Sequence, residues 1–472
     1  MSNFSRKISV NLGIRVRDDG PKPAKPASKR PLESLPAEIL AMILSCLPAS
    51  SILNVARTNK AFQKHAETAL YRDIRLTFCC RNGYNRDVAL LFRALSKRPV
   101  LGLYVRRFDF VYRRAKHSRP FNKCPTVMQH LPLVEQYVRM TGLRPVSLWQ
   151  NGLSTRCIET VSALILGLIP GVQELRLEQS MLSEPSLFLI SALRNAYENP
   201  PWEPEPAPEP FSQLRSLEID SDSSCTGWTA QTLAQMRELV SLDSLRIFRG
   251  AVSDSTMLNM PANAGIYLPF TEIYCRMKMQ NSLGQLLSFA PDVRVLEYTH
   301  RQHHDCAFRF DHLHAALTHV KPQLEKLVVT GPACTRSAHE SRGVLRGKFG
   351  SLRDYLHLTH LELPWAMLTE DAAGCAGPLK DILPRALKVL VLNDYLAFRV
   401  TEGGAKPAAR AYMFGDFLGR DWREYVPDLE RIVVKVTWDN HWNKAAVDAM
   451  RDVCSLAGVR FVVDVDGFPC PF

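Results

Sequence analysis

The sequence predicts an α/β protein in which a small all-helical module precedes a long repeat array whose strands line up in one parallel sheet. Three observations predict it. An apolar stripe at helical spacing runs through residues 32–74. From residue 100 onward a second pattern recurs: an apolar residue, two of any kind, an apolar residue, one of any kind, and a third apolar residue. Prolines stand just before several of these copies, where a helix or loop has to end.

Composition sets the bounds. With 472 residues, 46% hydrophobic and 22% charged, the chain has the makeup of a soluble globular protein. It is neither apolar-poor enough to be disordered nor apolar-rich enough to be membrane-embedded. Such a length suits about three ordinary domains or one elongated array. Lys and Arg number 59 against 47 Asp and Glu, a net +12 that favours acidic partners without identifying one. The 12 Cys are scattered and only Cys79 and Cys80 are adjacent, so reduced thiols in the cytoplasm or nucleus are expected. Met1–Asp19 lacks the apolar core of a signal peptide, and Val161–Ile169 is about half of the ~20 residues a bilayer crossing needs. Neither secretion nor a membrane span is expected.

Residues 1–31 read as a mobile tail, basic and rich in proline over Asp19–Pro31. Its Lys22, Lys25, Lys29 and Arg30 fit a solvated linker as well as a nuclear address. Residues 32–76 form the helical module. Pro36 suits a first helical turn and Glu38 complements the positive end of the helix dipole. Ile39, Leu40, Ile43, Leu44 and Leu47 then make a stripe wide enough to face both an internal core and a second surface. Pro48 stops that helix, Ser50 or Ser51 is placed to cap a second carrying Leu53 and Val55, and Asn59 to cap a third. So small a module buries little surface alone and calls for a neighbour or partner.

Residues 77–99 are expected to be a helical connector, and residues 100–472 the repeat array. Its clear copies are Val105, Phe108, Phe110; Val172, Leu175, Leu177; Leu214, Leu217, Ile219; Leu242, Leu245, Ile247; Val293, Leu296, Tyr298; Leu324, Leu327, Val329; Leu358, Leu361, Leu363; Leu387, Leu390, Leu392; and Leu429, Ile432, Val434. Weaker copies begin at Leu143 and Phe270. In each, the last two apolar residues are two apart, as one face of a strand requires. Long intervals fall at proline- and glycine-rich insertions near 199–210 and 401–415.

Leu32–Ile74 resembles an F-box, carried by Leu35, Pro36, Glu38, Ile39 and Leu40, then Ile43, Leu44 and Leu47, Leu53 and Val55 in a second helix, and a closing Leu70, Tyr71 and Arg72. Phe62 and Tyr71 stand where members often carry Trp. The array resembles irregular leucine-rich repeats of the kind found behind F-boxes in fungal proteins, which implies a parallel β-sheet on the concave face of a solenoid. The resemblance implies a non-catalytic substrate receptor of an SCF-type, cullin-based ubiquitin ligase. The adaptor would bind through Leu35, Pro36, Ile39, Leu40, Ile43, Leu44, Leu47, Leu53 and Val55, some of which must instead form the module's own core. A repeat scaffold outside ubiquitin transfer is the other reading.

Outward positions between the paired strand residues change from charge to valine along the array. This suggests a client patch of Val328, Val389, Val391 and Val433 edged by Lys326 and Arg431; valine's liking for strands explains the same pattern without a client. Arg106–Lys123 mixes Arg and Lys with aromatics, as a nucleic-acid groove does, yet Phe108 and Phe110 also fit the repeat core, so nucleic acid is not expected. The run of His between His300 and His319 has no zinc spacing, and no Walker loop, GxSxG or HExxH occurs, so no metal, cofactor or catalytic residue is expected.

Overall fold

The computed structural model describes residues 35–79, 86–113, 136, 149, 158–178, 211–220, 244–251, 267–277, 280–300, 308–330, 345–368, 378–393, 407–419, 421–436 and 444–465. The tail 1–31, the weaker copy at Leu143, the insertion 199–210 and the basic residues from Arg114 to Lys123 lie outside them. The chain divides into two compact units, Met1–Cys225 with Gln235–Leu245 and Thr226–Ala234 with Arg246–Phe472.

The first unit opens with α1 (Ala37–Ser45), α2 (Ala49–Thr58) and α3 (Lys60–Arg72). Pro36 and Pro48 each stand at the N-cap, and their carbonyls accept the first helical N–H bonds without needing a donor in return. The second helix therefore starts at Ala49, with Ser50 and Ser51 inside its first turn rather than capping it. Asn59 does cap α3, its Oδ1 accepting from the Ala61 N–H at 2.8 Å. Four strands follow, β1 (Asp73–Cys79), β2 (Arg107–Arg113), β3 (Glu174–Glu178) and β4 (Ser216–Asp220), with α4 (Arg86–Lys97) and α5 (Ile158–Gly167) between them. All pair in parallel, with Ile74, Phe108, Leu175 and Leu217 in register. In the one-turn helix Val100–Leu103, a Cβ on Gly102 would stand 1.8 Å from the carbonyl oxygen of Leu168, so that backbone approach admits only glycine.

The second unit has β5 (Ile247–Ala251), β6 (Glu272–Met277), β7 (Val295–His300), β8 (Lys326–Thr330), β9 (His360–Pro364), β10 (Val389–Asn393), β11 (Arg431–Val436) and β12 (Arg460–Val465). They too form one parallel ladder in that order. Phe248, Ile273, Leu296, Leu327, Leu361, Leu390 and Ile432 stack in register and are wholly buried. Helices α6 (Gln280–Phe289), α7 (Phe310–Leu317), α8 (Pro407–Leu418) and α9 (Lys444–Ala457) complete the repeats. Strand and return segment alternate as in a leucine-rich-repeat solenoid.

Four places differ from the sequence expectation, each for a local reason. The parallel ladder begins at β1, earlier than residue 100, because Tyr71, Ile74 and Leu76 make a further copy of the repeat that overlaps the end of the helical module. Around Leu245 the inward residue is the fully buried Phe248 and not the half-buried Ile247, since Gly250 occupies the third apolar place and masks the copy. Strand β12 carries an incomplete copy of the repeat, because its leading position is Gly458, which terminates α9 at φ +72° while the Val459 N–H reaches back to the Cys454 carbonyl at 2.8 Å. The insertion near 401–415 contains α8, begun by Pro407 in its first turn, where a missing N–H costs nothing.

Candidate functional site

The helical module packs on a small core of Leu44, Ile52 and Ala66, flanked by Leu47, Val55, Ala56, Ala69 and Leu70. On α1 the wide apolar stripe splits in two. Leu40 and Leu44, 7% and 3% exposed, face the interior with Leu47. Ile39, Met42 and Ile43 remain 37%, 57% and 41% exposed. With Cys46, also exposed, they fall at i, i+3, i+4 and i+7, a second stripe running beside the buried one on the solvent-facing flank of the helix. Pro36 is exposed at its start, while Leu35 and Leu53 are half-buried. The interior therefore claims Leu40 and Leu44 from the candidate adaptor contacts, and Leu47 and Val55 pack against it. Met42 and Cys46 are added. Counting i, i+3, i+4 and i+7 from Ile39 would have found both.

The module is braced from downstream. Arg98 donates to both carboxylate oxygens of Glu67 on α3, at 2.9 and 2.8 Å, and holds that carboxyl below its usual range. The Arg106 N–H meets the Arg72 carbonyl at 2.8 Å, joining the last helical turn to the sheet.

On the outward face of the second unit, Glu297, Val328, Glu362, Val391, Val433 and Val462 form one cross-strand row. The three valines proposed as a client patch, Val328, Val391 and Val433, are only 8%, 4% and 8% exposed. Short side chains on a sheet at ~4.8 Å strand spacing lie below their longer neighbours, so an outward direction does not ensure exposure. Val389, Lys326 and Arg431, one step along the strands, are half-buried. Glu362 is buried too, and Lys435 reaches over from β11 to donate to both its oxygens at 3.0 and 2.9 Å. Asn393 adds a bond to Glu362 at 3.3 Å and donates to the Val329 carbonyl at 3.0 Å. The latter follows from the ladder: the His360 N–H meets the Glu325 carbonyl, so in steps of two Val329 would receive the N–H of residue 364, which is proline.

The remaining candidates are absorbed by the fold. Arg106 donates to the Gly171 carbonyl and Gln213, and Arg107 pairs with Glu174. His300 is buried, its Nδ1 3.2 Å from the Tyr298 hydroxyl and its ring edge-on to Phe308. His303, His304 and Cys306 lie outside the described residues, among which no group of three His, Cys, Asp or Glu is placed to hold a metal. Burial pushes the thiols of Cys275 and Cys454 up to about 12 and about 11, away from nucleophilic use. A polar cavity of 320 Å³ lies among Arg246, Tyr267, Asp292 and Arg294, where the Tyr267 hydroxyl donates to Asp292 and Arg294 pairs with Glu325. No helix among the described residues is long and apolar enough to cross a membrane.

Comparison with known proteins agrees on the module. Residues 32–77 match the F-box-like family. No curated protein matches the chain. One solved structure that is similar is the leucine-rich repeat-containing protein LegL7 from Legionella pneumophila, 12% identical, with a TM-score of 0.29 over 65% of this chain and 70% of that one. The chain carries an F-box-like domain at residues 32–77, and the described residues after it alternate parallel strands with return segments.

Proposed function

We propose that this chain is the client-binding subunit of an SCF-type, cullin-based ubiquitin ligase, docking the ligase's adaptor on the outer stripe of α1 and a client on the repeats. The observation that carries the reading is the second apolar stripe, Ile39, Met42, Ile43 and Cys46, inside the segment that matches the F-box-like family. Removing such side chains from water is worth about 1 kcal/mol apiece at their partial exposure, so a helix groove on a partner would gain several kcal/mol from this face alone. Leu35, Pro36 and Leu53 would extend it.

The chain performs no bond chemistry in this reading. It holds a client beside the ubiquitin-charged enzyme and raises the effective concentration of the two reactants. The work belongs to the cytoplasm or nucleus, in keeping with 12 scattered cysteines.

Affinity capture of the full chain from cells tests the proposal. Adaptor and cullin are expected together on the native chain, and both are expected to vanish from Ile39→Asp with Ile43→Asp. Adaptor without cullin on the native chain would replace the ligase reading with that of a scaffold.

A further inference from the structure

On the outward face of the second unit, strand register places Lys326, His360, Val389, Arg431 and Arg460 in one cross-strand row. Lys326 is held by Glu297 at 2.8 Å, and the nearby Lys435 is held by Glu362. Arg431 and Arg460 are opposite one another on β11 and β12, and among the described residues no ion pair engages either. Like charges directly across a sheet destabilise it, so folding gives no reason for this pair. His360 registers the same positive potential: burial first, then Lys326, Arg431 and Lys435, bring its ring down to about 4, which leaves it a neutral hydrogen-bonding group at physiological pH. Val389, short and half-buried, stands between His360 and Arg431 and leaves a step in the row beside the guanidinium.

We infer that this row binds an acidic segment of the client, with an oxyanion side chain, carboxylate or phosphate, seated across Arg431 and Arg460. Guanidinium forks match both oxyanions in geometry and are weakly hydrated, so they give up water readily. The row spans four strand gaps, about 19 Å at ~4.8 Å each, which an extended peptide of about six residues covers. A peptide fits better than nucleic acid. Glu297 and Glu362 take up Lys326 and Lys435, so among the described residues Arg431 and Arg460 are the cations of this row that no ion pair engages, enough for one or two acidic side chains and too few for a continuous phosphate backbone. The inference rests on the receptor reading only in calling the ligand a client.

The test uses the purified full chain and fluorescence anisotropy with three probes: a short oligoglutamate peptide, a phosphoserine peptide of equal formal charge, and a single-stranded DNA of comparable charge. One or both peptides are expected to bind, more weakly as salt rises. Arg431→Gln with Arg460→Gln should weaken peptide binding about ten-fold. Its thermal midpoint should be unchanged or raised, because a repulsion has been removed. Lys60→Gln with Lys97→Gln, two exposed lysines of the first unit, alters net charge equally and should change binding less than about two-fold. The ratio between the two peptides tells phosphate from carboxylate. Equal losses in both variants, no peptide binding by the native chain, or tighter binding of the DNA through the same arginines would overturn the inference. The adaptor is absent from this assay, so its failure is separable from failure of adaptor capture through α1.

Discussion

The helical module and the outward sheet face of the second unit each display more than folding requires, but of opposite character. On α1, Ile39, Met42 and Ile43 stand in solvent while Leu40 and Leu44 are enclosed. On the sheet the order is reversed: Val328, Val391 and Val433 lie sealed, and Arg460, with the half-buried Lys326 and Arg431, forms the accessible margin. The difference comes from geometry. A helix turns its stripe around a cylinder, so a wide stripe must divide between two surroundings. A sheet holds neighbours at ~4.8 Å, where the length of a side chain decides whether it reaches water. The module therefore presents apolar side chains to solvent, and the sheet presents charge.

The strongest way to break this comparison is to exchange the two sides of α1. Leu44→Ala removes a core side chain from a module with little core to spare and is expected to lose about 3–4 kcal/mol in urea unfolding of the module. Ile43→Ala, one residue earlier, should lose less than about 0.5 kcal/mol. Similar losses at both would mean that α1 has no free face.

A somewhat smaller effect is expected on the sheet. Lys435→Met leaves Glu362 buried without its cation and should cost about 2–3 kcal/mol, whereas Glu362→Met with Lys435→Met together should fall within about 1 kcal/mol of the native chain. Equal costs for the single and double variants would show that Glu362 is solvated and that the row is less enclosed than described.

The smallest effect depends on pH. His360 titrates lower in the folded chain than in the unfolded one, so the unfolded chain binds more protons between its ordinary value near 6.5 and about 4. Its contribution is therefore fully present above about pH 6.5 and is lost as pH falls toward about 4, on the order of 1–2 kcal/mol after allowance for partial exposure. Thermal melts of His360→Gln should show a shallower decline than the native chain across that window. Identical slopes would remove His360 as a reporter of positive potential on this face.

Much of the architecture was legible because the repeat's apolar triplets fix which side chains stack inward. It failed where glycine stood in for an apolar residue, at Gly250 and Gly458, and where one segment served two patterns, at Tyr71–Leu76. On α1 the spacing showed that the stripe was too wide for one core, yet the division of Ile39 and Ile43 from Leu40 and Leu44 required α2 and α3 in place. Burial of Val328, Val391 and Val433 was not legible, since exposure on a sheet depends on side chains contributed by strands distant in sequence. The placing of Arg431 opposite Arg460, with no ion pair to either among the described residues, is likewise a product of register between β11 and β12.

Equilibrium binding of the purified SCF adaptor to the full chain, measured alongside thermal unfolding, reaches the central claim most directly. For Ile39→Asp with Ile43→Asp the account predicts adaptor affinity reduced by about a hundred-fold or more, with the melting midpoint within about 2 °C of the native chain. Unaltered affinity, or a melt that collapses along with binding, would contradict it.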